Sequence, residues 1–154
     1  FIYIEMDSEE KIKQILAKTQ IKVHSDLFSI VSIEKREENK VKEITKNLTS
    51  FSSITYDIEE ISLVVKETDW IVIKDHFDSY QEDGPFCLIT FDIILDLSIV
   101  GFMAFISRKL AEKNVSIYVI STYLRDHILV KKSDCTKTVE LLLDLIEECR
   151  VTYS

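Results

Sequence analysis

Asp126 and His127 are neighbours, and Ser116 and Ser121 lie a few residues upstream, a set of residue types that invites a nucleophile–base reading. The spacing argues against it. Neither serine has an adjacent histidine arranged as a nucleophilic pair, and His24, His76 and His127 are dispersed along the chain. In an alternating strand neighbouring side chains point to opposite faces, so His127 need not touch Asp126. A binding reading fits better. Asp126 falls in a short turn, where its carboxylate either bonds its own backbone or holds a ligand ammonium or guanidinium. Asp96 to Gly101 precedes a segment of helical periodicity, and the N-terminus of a helix offers free N–H groups and a positive end to a carboxylate. Gly101 leaves space either for a ligand's close approach or for tight helix–sheet packing. Together the two features suit a small amino acid.

Other chemistries find less support. No P-loop or dinucleotide-binding glycine pattern occurs, and Asp75, Asp78, Glu82 and Asp83 fail the calcium-loop spacing, so they read as a solvated acidic loop. Cys87, Cys135 and Cys149 are widely spaced, with no CxxC pair and no Cys/His cluster for zinc, and they read as reduced thiols of a cytoplasmic protein. No cofactor, metal or catalytic residue is expected. The net charge of −8 argues against nucleic acid as a partner, and no apolar run of membrane-spanning length occurs. The chain opens on Phe1 without a secretory signal pattern, so it is expected to be part of something longer.

The elements that must position these residues follow from periodicity. Phe1–Met6 reads as a strand and Ser8–Lys18 as a helix capped by Asp7 or Ser8. A strand over Leu27–Glu34 and a short helix with Val41, Ile44 and Leu48 on one face come next. Residues 51–55 and 60–65 form a hairpin, Trp70–Lys74 a strand, 75–86 a surface loop and Phe86–Ile94 a strand. Leu97–Lys113 is expected to be a helix, Val115–Thr122 and His127–Val130 a strand pair, and Ser133 or Asp134 to cap a helix through Glu148. Cys149–Tyr153 would be a closing strand. This is an α+β pattern of the ferredoxin-like, split βαβ type. A faint echo between Phe1–Val23 and His127–Val151 adds support for tandem modules.

Four segments carry a family resemblance. Asn114–Val130 (NVSIYVISTYLRDHILV) resembles the STxxxxDxILV hairpin of the tandem ACT proteins, a group that includes the CASTOR-type cytosolic arginine sensors and small bacterial two-ACT proteins. Leu95–Gly101 (LDLSIVG) resembles their loop before a helix, Phe51–Val65 (FSSITYDIEEISLVV) their first-module hairpin, and Asp69–Ile73 (DWIVI) the strand that opens their second module. The resemblance implies ACT βαββαβ modules, with antiparallel sheets and helices on one face, dividing at 1–67 and 68–154. Residues 1–26 stand as an atypical extension, either the tail of another ACT unit or the source of a missing strand and helix.

In those sensors a ligand sits between two modules. Carried over by position, its contacts here would be Leu97, Ser98, Ile99 and Gly101, then Ser116 and Ile117, then Thr122, Tyr123 and Asp126. Ile99 stands where the arginine sensor has a second acid, so a guanidinium should be held less firmly here. The resemblance implies a non-catalytic regulatory protein that binds a small amino acid at a module or subunit interface, as a homodimer or with a regulatory partner protein. Two alternatives are a ligand-free ACT-like dimerisation module and the regulatory fragment of an amino-acid metabolic enzyme.

Overall fold

Two long strands organise the chain, one alternating in burial along its second half and the other buried continuously over Phe86–Phe91. A computed structural model describes residues 8–153; the expected strand at Phe1–Met6 lies outside them. In chain order the elements are α1 (Ser8–Ala17), β1 (Gln20–Glu34), α2 (Glu38–Thr45), β2 (Ser53–Tyr56), β3 (Glu60–Lys66), α3 (Glu67–Ile73), β4 (Tyr80–Asp92), α4 (Phe102–Ala111), β5 (Tyr118–Ser121), β6 (Asp126–Lys131) and α5 (Cys135–Tyr153). The strands are hydrogen-bonded in the order β2-β3-β1-β4-β6-β5. The chain forms two compact units: Ser25–Leu88, and the residues up to His24 together with those from Ile89 onward. Strands β1 and β4 run through both.

The unit of Ser25–Leu88 follows the succession β1-α2-β2-β3-α3-β4, a ferredoxin-like βαββαβ module. Val31 and Ile33 on β1 alternate with Ile61, Leu63 and Val65 on β3, in an antiparallel register that sets Ile33 against Ile61 and Val31 against Leu63. Period-two burial brings these residues to one face, where Val41 from α2, Trp70 and Ile73 from α3, and Phe77 close the core.

The other unit holds α1, the start of β1, the end of β4, and then α4, β5, β6 and α5. Its strand order is β1-β4-β6-β5. Helix α1 packs on α5, with Ile12, Leu16, Leu142, Ile146 and Cys149 buried. The Arg150 guanidinium donates to the carbonyls of Ala17 and Thr19 at 3.2 and 3.3 Å, tying α5 to the chain just past α1. From α4, Phe102, Phe105, Ile106 and Leu110 face the core.

The expected α+β, ferredoxin-like class is therefore the observed one, with several elements corrected. Trp70–Lys74 is helical, not a strand. Trp70 and Ile73 are buried three residues apart while Ile71 and Val72 between them are 56% and 75% exposed, a helical rhythm. Glu67 and Asp69 also suit the positive end of that helix. Residues 75–86 are largely strand rather than loop, because β4 starts at Tyr80 and runs extended through exposed polar residues before burial begins at Phe86. Cys149–Tyr153 continues α5 instead of forming a closing strand. Helix α4 begins at Phe102, five residues later than Leu97. Strand β5 is limited to Tyr118–Ser121. The two compact units are 25–88, and the residues up to 24 with 89 onward; the division into modules at 67/68 is a separate expectation.

Candidate functional site

The segment between β4 and α4 carries apolar residues at helical spacing, yet Leu97 and Val100 are 74% and 78% exposed, so no helix is held there by burial. It folds on local bonds instead. The Asp96 carboxylate accepts from the Ser98 amide at 2.8 Å and the Ser98 hydroxyl at 2.5 Å, an Asx-type turn. The Ser98 hydroxyl, and then its amide, hold the Asp96 carboxyl below the usual carboxylate range. Gly101 then takes a left-handed backbone, φ 92°, as the residue capping α4. No side chain caps that helix, and its first backbone bond runs from Phe105 N–H to the Gly101 carbonyl at 3.0 Å. The amides of Phe102, Met103 and Ala104 precede any intrahelical acceptor.

The β5–β6 hairpin meets this segment. The Leu95 amide donates to the Leu124 carbonyl at 2.9 Å. Thr122 closes the turn, its amide and its hydroxyl both donating to the Arg125 carbonyl at 2.9 Å. Between the two lies a cleft of about 300 Å³, lined by Leu95–Leu97, Ile99, Gly101–Ala104 and Ser121–Asp126. It combines the first-turn residues of α4, the carboxylates of Asp96 and Asp126, and Arg125. The Arg125 guanidinium is paired with Asp92 at 2.9 Å, and Asp126 accepts from the Ser121 hydroxyl at 2.6 Å.

Of the expected site residues, Leu97, Ile99, Gly101, Thr122, Tyr123 and Asp126 border this cleft. Ser98 is turned to Asp96 and stands outside the lining, and Ser116 and Ile117, in the loop before β5, are not among the lining residues. Asp96 and Arg125 are additions that positional transfer did not supply. The signal for Arg125 was its place beside Asp126 in the same turn. His127 does point away from Asp126: its ring is 8% exposed, with Nδ1 on the Thr90 hydroxyl at 2.8 Å and Nε2 facing that of Thr122 at 3.4 Å. Among the described residues no group of three or more His, Cys, Asp or Glu is arranged to hold a metal, and no helix is long and apolar enough to cross a membrane.

Gly101 owes its identity to its backbone angle, since a Cβ there would meet nothing within 4 Å. Gly101→Ala should therefore cost about 1–2 kcal/mol, the left-handed penalty alone, and Gly101→Asn, which tolerates that conformation, less. Urea denaturation of the two variants checks the order.

Comparison with known proteins places these elements. Residues 85–144 match the family model of the ACT domain. Among solved structures, the chain is similar to a protein of unknown function from Vibrio cholerae, described as a possible transport protein. The TM-score is 0.70 at 18% identity, covering 91% of this chain and 99% of that one. It is similar to aspartate kinase from Clostridium acetobutylicum, with TM-score 0.67, 18% identity and coverage of 83% of this chain and 34% of that one. It is also similar to the regulatory subunit of aspartate kinase from Thermus thermophilus, with TM-score 0.60, 9% identity and coverage of 82% and 97%. At these identities the likeness is one of fold. No curated protein matches the chain.

Proposed function

We propose that this chain is a non-catalytic, cytoplasmic regulatory protein of paired ACT-type modules, and that the cleft between the α4 start and the β5–β6 turn binds a small amino acid. One observation carries this reading: a single cleft of about 300 Å³ is lined both by first-turn residues of the uncapped α4 and by the acidic residues Asp126 and Asp96. The helix end suits an α-carboxylate, and a carboxylate suits an α-ammonium or a cationic side chain. The ACT match over residues 85–144, which include the cleft, supports the same reading. Likeness to aspartate kinase regulatory subunits supports a regulatory role, in which the ligand shifts association with a second copy or with a partner chain through its different affinity for the two states.

A thermal-shift screen with each common amino acid tests this. A ligand at a hundredfold excess over its Kd adds about 2.7 kcal/mol, which for a chain of this size raises the Tm by roughly 5–10 °C. At least one amino acid should do so. Asp126→Asn, which can keep the Ser121 contact, should retain the unliganded Tm within about 2 °C and lose the response. No response to any amino acid, with a stable dimer in light scattering, would instead favour a ligand-free assembly module.

A further inference from the structure

A second cleft lies within the unit of Ser25–Leu88, between α3 and the first half of β4. Its volume is about 400 Å³. One wall carries Glu67, Trp70, Ile71 and Lys74 of α3, and the other is the stretch from Glu82 to Pro85. Gly84 lets that second wall stand close to β1, since a Cβ there would lie 3.1 Å from the Phe28 carbonyl oxygen.

Pairing inside the cleft leaves one acidic group over. The Glu82 carboxylate accepts from the Trp70 indole N–H with one oxygen and faces Lys74 Nζ at 3.7 Å with the other. Asp83 accepts from the Gly84 amide at 2.8 Å. Glu67 differs, because its Oε2 is buried and has no hydrogen-bond partner. A carboxylate oxygen withdrawn from water without a donor is unfavourable. The place of Glu67 in the first turn of α3 suits the positive end of that helix, but it brings Oε2 no N–H. The terminal torsion of a glutamate is broad and two-fold, so either oxygen can turn towards a donor in the cleft.

The missing donor can be specified. With Lys74 set against Glu82, Glu67 and Asp83 give the cleft an excess of negative charge, so the donor is a cation. A metal ion does not fit, since among the described residues no group of three or more His, Cys, Asp or Glu is arranged to hold one. Trp70, Ile71 and Pro85 supply apolar lining for a short carbon chain. A single open acceptor oxygen suits a compact ammonium better than a planar guanidinium, which matches two oxygens at once.

We infer that this cleft is a second ligand site, for a small organic cation whose alkylammonium head donates to Glu67 while its carbon chain lies against Trp70 and Ile71. It shares no lining residue with the cleft at α4, and it does not rest on the function proposed for that cleft.

Trp70 is the single tryptophan, so its fluorescence reports on this cleft in the intact chain. Titration with n-butylammonium chloride at constant ionic strength should give a saturable change, with half-saturation on the order of 1–10 mM for a ligand of so few atoms. Potassium chloride supplies the charge without the chain, and n-butanol the chain without the charge; neither should give one. Glu67→Gln keeps the shape and removes the charge, and should raise the half-saturation by about tenfold or more. Asp75→Asn removes an equal charge from an exposed position outside the lining and should shift it by less than about twofold. Should the glutamine variant not fold, Ile71→Lys, at a residue 56% exposed, should fill the cleft with a tethered ammonium and abolish the saturable change. No saturable change, an equal change with butanol or potassium, or an unaltered half-saturation in Glu67→Gln would overturn the inference. An amine response without an amino-acid response in the thermal screen would keep this site and reject the ligand at α4, and the converse would do the reverse.

Discussion

Trp70→Ala should remove about 3–5 kcal/mol of unfolding free energy, among the largest losses of any single substitution in the chain. Trp70 is 2% exposed. Its ring stacks on Phe77 at 6.0 Å and meets Tyr80 edge-on at 5.0 Å, and its indole N–H donates to the Glu82 carboxylate. Truncation opens a cavity among rings from three consecutive segments and removes the indole donor from the exposed Glu82 carboxylate, which keeps water and Lys74 at 3.7 Å. Trp70→Phe restores most of the packing but not the hydrogen bond, so it should recover more than half of the loss. Urea denaturation followed by circular dichroism is the suitable readout, because Trp70 is the chain's single tryptophan and its fluorescence disappears with it. A loss under about 1.5 kcal/mol for the alanine variant would mean that α3 does not anchor this core.

Phe102→Ala should be comparably severe, about 3–5 kcal/mol, and should also abolish any amino-acid response. Phe102 is 3% exposed, packs edge-to-face on Phe91 at 5.5 Å, and is the first residue of α4 and part of the cleft lining. It anchors the helix end whose amides border the cleft. Phe105, one turn further on and 4% exposed, is absent from the cleft lining. Phe105→Ala should therefore destabilise to a similar degree while keeping its ligand-induced rise in Tm relative to its own unliganded value. Equal loss of response in both variants would show that the effect comes from general loosening, and the cleft would lose its claim on α4.

Legibility differed from element to element. The hairpin of β2 and β3 was plain, because Ile61, Leu63 and Val65 alternate in a segment too short for anything but a half-buried strand. The apolar stripe of α4 was equally plain over Phe102–Leu110. Its start was not: Leu97 and Val100 fit the helical spacing but point to solvent, and the Asp96–Ser98 turn followed by the left-handed Gly101 stops the helix short of them. Trp70–Lys74 failed for the opposite reason. A short β-branched and aromatic run carries strand propensity, and only the core formed by Phe77 and Tyr80 wound it into a helix with Trp70 inward. At the site, Asp126 and Gly101 were recognisable by residue type and position, whereas Arg125 and the bordering role of Asp96 came from the hairpin folding against the β4–α4 segment.

The order of residues alone determined the α+β class, the apolar faces and the presence of an acid-bearing turn, since periodicity and turn chemistry are local properties of a chain. Tertiary structure decided which strand fills the place beside β4 and which polar groups share a cleft. It also decided that Thr90 bridges two histidines 103 residues apart. Those outcomes depend on long-range pairing, where one buried hydroxyl or one strand register selects among partners that local sequence cannot tell apart.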